Sequence, residues 1–151
     1  MLLIEKTDIG PDERTPALAQ RLSGIGAEAL ARVLRELPPE TPQDHALATI
    51  APKIEKREGE IRFEDSARTI YDKFRAFDPW PGVSYDGVKF TEIRVAAGSQ
   101  PAGTILEIGD GVVVACGEGA IRILEMQRPG KPRAAAADVA RGLGWQVGHV
   151  L

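Results

Sequence analysis

Apolar and polar residues alternate along this chain with two different periods, and the change from one to the other divides it. Leu18, Leu22, Ile25, Ala29, Val33 and Leu37 recur at intervals of three and four, which predicts an amphipathic helix over 16–37. Thr15 is expected to cap it, Pro16 to occupy its first position and Pro38-Pro39 to end it. Its polar face carries Gln20, Glu28, Arg32 and Glu36, so the apolar face needs a cover within this chain or from another. Ahead of it, the apolar run Met1 to Ile4 reads as a strand feeding a loop that contains Gly10-Pro11-Asp12. A second helix is predicted from a cap at Asp65 or Ser66, with Ala67, Ile70, Tyr71, Phe74 and Phe77 as its stripe and Pro79 as its stop.

Beyond the segment Arg75 to Gly82 the period falls to two. Val83 to Tyr85 and Val88 to Phe90 flank Asp86-Gly87, a strong hairpin signal. Apolar positions then run 88 and 90 but 93 and 95, and this change of parity around Thr91-Glu92 predicts a β-bulge that bends the strand. Thr104 to Ile108, Val112 to Cys116 and Ala120 to Gln127 follow as strands separated by glycine turns. An alanine-rich helix from Ala135 to Arg141 is expected to end at Gly142. The fold class is α+β, mainly β: a small barrel resembling the oligonucleotide-binding type, preceded by a strand and helix. The expected divisions are a strand-helix unit over 1–40, a linker over 41–63, rich in proline and mixed charge, and the barrel over 64–151. Trp80, between Pro79 and Pro81, is expected to pack beneath a neighbouring element as a structural wedge.

Composition narrows the functions. A net charge of −3 confines any nucleic-acid contact to a local patch. The single cysteine, Cys116, excludes an internal disulfide framework and sits in an apolar run where an inert, buried thiol is expected. No apolar stretch is long enough to span a bilayer, and the first residues lack a signal-peptide pattern; the chain reads as cytoplasmic.

Catalytic chemistry is sparse. His45 and His149 have no Cys, Asp or Glu at ligand or triad spacing. Gly109 to Gly111 and Gly117 to Gly119 join strand to strand, whereas a phosphate-cradling loop joins strand to helix. From Ala120 onward the bases outnumber the acids by five to two, and they form one constellation with a functional slant: Arg122 on the last strand, Arg128, Lys131 and Arg133 in a loop, and Arg141 on the final helix. Converging on one mouth of a barrel, these could neutralise phosphates, with Arg94, Lys89 and Arg62 as extensions. A solvated loop is the alternative reading. Aromatic residues make up only 5%, which argues against base stacking as the main mode of binding.

Four strings carry a resemblance to a known family: Pro42-Gln43-Asp44-His45-Ala46-Leu47-Ala48-Thr49-Ile50-Ala51-Pro52-Lys53-Ile54, Arg75-Ala76-Phe77-Asp78-Pro79-Trp80-Pro81-Gly82, Pro101-Ala102-Gly103-Thr104-Ile105-Leu106 and Gly130-Lys131-Pro132-Arg133. In sequence and spacing the chain resembles the methionyl-tRNA formyltransferases, from the end of their formyl-transferring domain through their linker and C-terminal barrel. The resemblance implies that residues 1–40 are a remnant of the N-terminal domain. It also implies that the family's catalytic Asn, His and Asp fall upstream of Met1, so this chain would hold no catalytic residue, no metal and no bound cofactor. The family's formyl donor is 10-formyltetrahydrofolate. Its C-terminal barrel contacts initiator methionyl-tRNA, a role that Lys131 and Arg133 would share here. The sequence departs from the family at Pro132, where a second Lys is frequent, and at Ala135, where a capping Ser is expected; loss of such a cap predicts a frayed final helix. Two alternatives stay open: a stand-alone module that binds RNA or protein, and the terminal part of a related folate or sugar formyltransferase. The helix over 16–37 is expected to dock on the barrel, self-associate or lack order.

Overall fold

The computed structural model describes all 151 residues, and its contacts group them into two units, Met1–Ile54 and Glu55–Leu151. The first unit is built on α1 (Thr15–Glu36). Arg14 rather than Thr15 occupies the N-cap, without a side-chain cap bond, and Leu37 ends the helix in a left-handed conformation. The N-terminal segment is tied to this helix by arginines: Arg21 donates to Glu13 Oε1 (2.9 Å), to the Asp8 carbonyl (2.7 Å) and to the Thr7 hydroxyl. Arg32 reaches Glu5 at 3.1 Å.

The strand expected at Met1 to Ile4 does not form. A strand needs a neighbour with a row of free backbone groups. Met1 finds one residue, Thr41, whose carbonyl accepts from the Met1 amino group (2.9 Å) and whose N–H reaches the Met1 carbonyl (2.8 Å). The rest of the unit offers a helix and segments without ladders, so the pairing goes no further.

The second unit is an antiparallel sheet with two helices packed on it. Its strands are β1 (Val83–Tyr85), β2 (Val88–Ala96), β3 (Ile105–Ile108), β4 (Val112–Ala115), β5 (Ala120–Gln127) and β6 (Arg133–Ala135). The order is β1-β2-β5-β4-β3, with β6 added beside β5. Asp86 and Gly87 both have positive φ (46° and 74°), as the tight turn between β1 and β2 demands. The expected bulge is present and has a counterpart. Phe90 faces Met126, Glu92 faces Glu125 and Ile93 faces Ile123, so Thr91 on β2 and Leu124 on β5 are each skipped.

Helix α2 (Ala67–Ala76) is capped by Ser66, whose side chain accepts from the Thr69 N–H at 3.1 Å. It buries Ala67, Ile70 and Phe74 against β2 and β5. Helix α3 (Ala136–Gly142) has no side-chain cap at Ala135, yet Ala136, Val139 and Ala140 are buried; packing holds a helix here that capping does not. The core gathers Ile61, Phe63, Ile70, Phe74, Phe90, Ile93, Ile121, Ile123 and Met126. Ile61 and Phe63, in the stretch read as linker, therefore belong to this interior. The Ile61 N–H donates to the Ser84 carbonyl (3.0 Å), and the Gly117 N–H reaches the Phe63 and Asp65 carbonyls (2.8 and 3.0 Å). A Cβ on Gly117 would stand 2.0 Å from the Glu64 carbonyl oxygen, so only glycine permits that approach.

Candidate nucleic-acid interface

Several basic side chains of the sheet unit line a groove of about 520 Å³ at the β1–β2 end. One wall is the 3₁₀ turn Lys56–Gly59. The opposite wall is formed by Gln127, Arg128, Pro129 and Gly130, where β5 ends. Pro81, Gly82, Ser84, Gly87 and Lys89 supply the floor. Four cationic side chains, Lys56, Arg57, Lys89 and Arg128, face one carboxylate, Glu60.

Close backbone approach builds this floor. A Cβ on Gly59 would lie 2.3 Å from the Gly82 carbonyl oxygen, and one on Gly82, at φ +75°, would lie 2.2 Å from Cε of Lys89. Glycine at both positions lets the 3₁₀ turn, the β1 entry and the Lys89 stem share the same small space. Lys89 Nζ donates to the Pro79 carbonyl at 3.3 Å, which holds its charge at the groove rather than free in solvent. Arg57 pairs with Glu55 at 2.6 Å with both side chains largely exposed, a contact that a competing phosphate can replace at little cost. Lys56, Lys89 and Arg128 have no carboxylate partner.

The five basic residues singled out from the sequence do not share one environment. Arg128 lines the groove, and its Nη1 extends to 4.0 Å from the Cβ position of Gly142 at the end of α3. Lys131 and Arg133 lie in the same connection, which is a hairpin into β6 and not the open loop expected: Gln127 pairs with Arg133, and Gln127 Nε2 donates to the Lys131 carbonyl at 2.9 Å. Both side chains are exposed. Arg122 sits on the outward face opposite Arg94 and grips Glu107 through two bonds of 3.1 and 3.0 Å. Those bonds hold the Glu107 carboxyl below its ordinary range. Arg141 is engaged by Asp138 and by the Ala137 carbonyl, and Arg62 pairs with Asp65 at 3.2 Å.

Lys56 and Arg57 were missed because Lys53 to Glu60 mixes both charges without periodicity, the signature of a surface linker. Trp80 corrects an expectation. It does not wedge beneath a neighbour; its side chain is 59% exposed. The Gly82 N–H closes the turn on the Phe77 carbonyl (2.9 Å), and Phe77 is partly covered while Trp80 is not. Cys116 is buried, and desolvation pushes its thiol up to about 11. No group of three or more His, Cys, Asp or Glu side chains could hold a metal ion, and no helix is long and apolar enough to cross a membrane.

The family model described as "Formyl transferase, C-terminal domain" matches residues 53–144, and the chain belongs to that family. Among curated relatives, the methionyl-tRNA formyltransferase of Citrifermentans bemidjiense is 40% identical over 161 residues, covering 100% of this chain and 50% of that protein. The methionyl-tRNA formyltransferase of Sorangium cellulosum is also 40% identical, over 98% of this chain and 52% of its own length. That of Thermus thermophilus is 39% identical over 92% of this chain and 48% of its length. The chain thus spans about half the length of the curated relatives it matches. Among solved structures, a variant of HypX from Aquifex aeolicus shares the fold, with a TM-score of 0.63 and 21% identity over 87% of this chain and 25% of that one. HypX in complex with tetrahydrofolic acid aligns with a TM-score of 0.55 and 24% identity, over 76% of this chain and 22% of that one.

Proposed function

We propose that the sheet unit binds the phosphate backbone of tRNA along the groove, and that initiator methionyl-tRNA is the physiological ligand, as the names of the relatives suggest. The observation that carries this reading is the groove itself: four cations against one carboxylate over a glycine floor. Three of these cations have no carboxylate partner and the fourth, Arg57, has only the exposed Glu55; such a cluster attracts phosphate and releases counterions, giving affinity that falls steeply with salt and reads little sequence. In this reading the chain positions tRNA for formyl transfer from 10-formyltetrahydrofolate in the cytoplasm and supplies no catalytic group of its own. Lys131 and Arg133 extend the groove from the β5–β6 hairpin, whereas Arg122 and Arg141 stay with Glu107 and Asp138.

Filter binding of tRNA across a salt series tests it. If each groove cation meets one phosphate, the log–log slope is about −3 to −4, and Lys89→Ala or Arg128→Ala each flattens it by about one. Affinity independent of salt, or no affinity, would remove the proposal. The chain given charged initiator tRNA and formyl donor is expected to produce no formylation.

The exposed Leu22, Leu30 and Leu34 of α1 favour a second reading, self-association through residues 16–37. Sedimentation velocity should then show a dimer that Leu30→Gln dissolves; a monomer at every concentration would sink this reading.

A further inference from the structure

The molecule has one aromatic side chain exposed to solvent, Trp80. Phe63, Phe74 and Phe90 are buried, and Tyr71, Tyr85 and Trp145 pack against the core. A single exposed apolar side chain is ordinary on a protein surface; the surroundings of this one are not. Pro79 and Pro81 fix φ on both flanks. The turn is closed by the bond from the Gly82 N–H to the Phe77 carbonyl and braced by Lys89 Nζ on the Pro79 carbonyl. Pro81, Gly82 and Lys89 all line the cationic groove. The indole is therefore held out on a stiff turn that forms part of the groove itself.

A rigid, solvent-facing ring beside a phosphate-binding track is the arrangement by which proteins hold single-stranded nucleic acid, with cations following the backbone and a ring carrying a base. A stiff backbone lowers the ordering cost when a base lands on the ring. We infer that Trp80 is a stacking platform for an unpaired base of the RNA whose phosphates occupy the groove. The inference rests on the RNA-binding reading above and adds to it a preference for unpaired over duplex RNA. A groove of cations alone would not have that preference.

The test uses the full chain carrying Trp145→Phe, so that Trp80 is the sole indole. Its fluorescence is followed during titration with a short oligoadenylate and, separately, with a blunt RNA duplex. Saturable quenching by the oligoadenylate and none by the duplex is expected. Trp80→Ala should weaken oligoadenylate binding about tenfold, equivalent to about 1.4 kcal/mol and within the range for one base on an aromatic ring. Its salt slope and thermal melting should not change, and Trp80→Phe should restore most of the affinity. Unchanged oligoadenylate affinity in Trp80→Ala overturns the platform. If the Lys89→Ala and Arg128→Ala slopes flatten while Trp80 is silent, the platform alone falls and the groove stands. If neither RNA binds, both fall, and quenching by a protein but not by RNA would make the indole a protein contact instead.

Discussion

The two units differ in where their apolar side chains go. In the sheet unit, Phe90, Ile93, Ile121, Ile123 and Met126 are at most 1% exposed, and the strands that bury them, β2 and β5, supply Lys89 and Gln127 to the groove near their ends. In the other unit, α1 runs for 22 residues and buries none of them; Leu30 and Leu34 are 60% and 67% exposed. Both regions carry apolar periods in sequence. Periodicity dictates which element forms, but an element contributes stability only when its apolar face is covered. The sheet covers its own, and α1 has only the strap of residues 5–13 tied on through Arg21 and Arg32.

The largest effect that separates the units is in their truncations. Phe90→Ala should lower the unfolding free energy of the sheet unit by about 3–5 kcal/mol, while Leu34→Ala should stay within about 0.5 kcal/mol; urea unfolding followed by circular dichroism gives both. Equal costs would mean that α1 shares the core. Next, Gly117→Ala forces a Cβ against the Glu64 carbonyl oxygen and should cost about 1–3 kcal/mol, visible as a lowered Tm. Ser66→Ala removes the cap of α2 and should cost about 0.5–2 kcal/mol, read as a lowered Tm.

A further effect is one of pH. The folded pKa of Cys116, about 11, lies above the thiol's ordinary value of about 8.5. Its contribution to stability is complete below the ordinary value and is lost as pH rises toward the folded one. Between these limits the urea midpoint should fall faster for the parent chain than for Cys116→Ala. Parallel curves would show that the thiol is not held in the interior.

Much of the fold was legible because short-range rules sufficed. Asp86-Gly87 specifies its turn, the parity change at 90 and 93 specifies the bulge, and Ser66 announces α2. The strand at Met1 to Ile4 was not legible, because a strand depends on a partner and the pattern of one segment cannot say whether that partner exists. β6 was hidden for a related reason: Arg133-Ala134-Ala135 has no alternation, and it becomes a strand by pairing with Glu125 to Gln127. The groove was half legible. Arg128 stood in a basic cluster, but Lys56 and Arg57 join it only because Gly59 and Gly82 let two distant segments touch, and Trp80 needed the turn closed on Phe77 before its exposure could be seen.

The paired irregularity at Thr91 and Leu124 has a further consequence. Each strand places two outward residues in succession, Thr91 with Glu92 and Leu124 with Glu125, and the inward series Phe90 to Ile93 and Ile123 to Met126 continues across the interruption. Thr91 even reaches Glu125 across the gap, Oγ1 to Oε2 at 3.4 Å. Removing both extra residues together would keep every interior side chain facing inward and every rung matched, and would change only the local twist that bulges impose. Curvature and interior are thus specified by separate letters of this sequence, so the bend of the sheet can change without rewriting what lies inside.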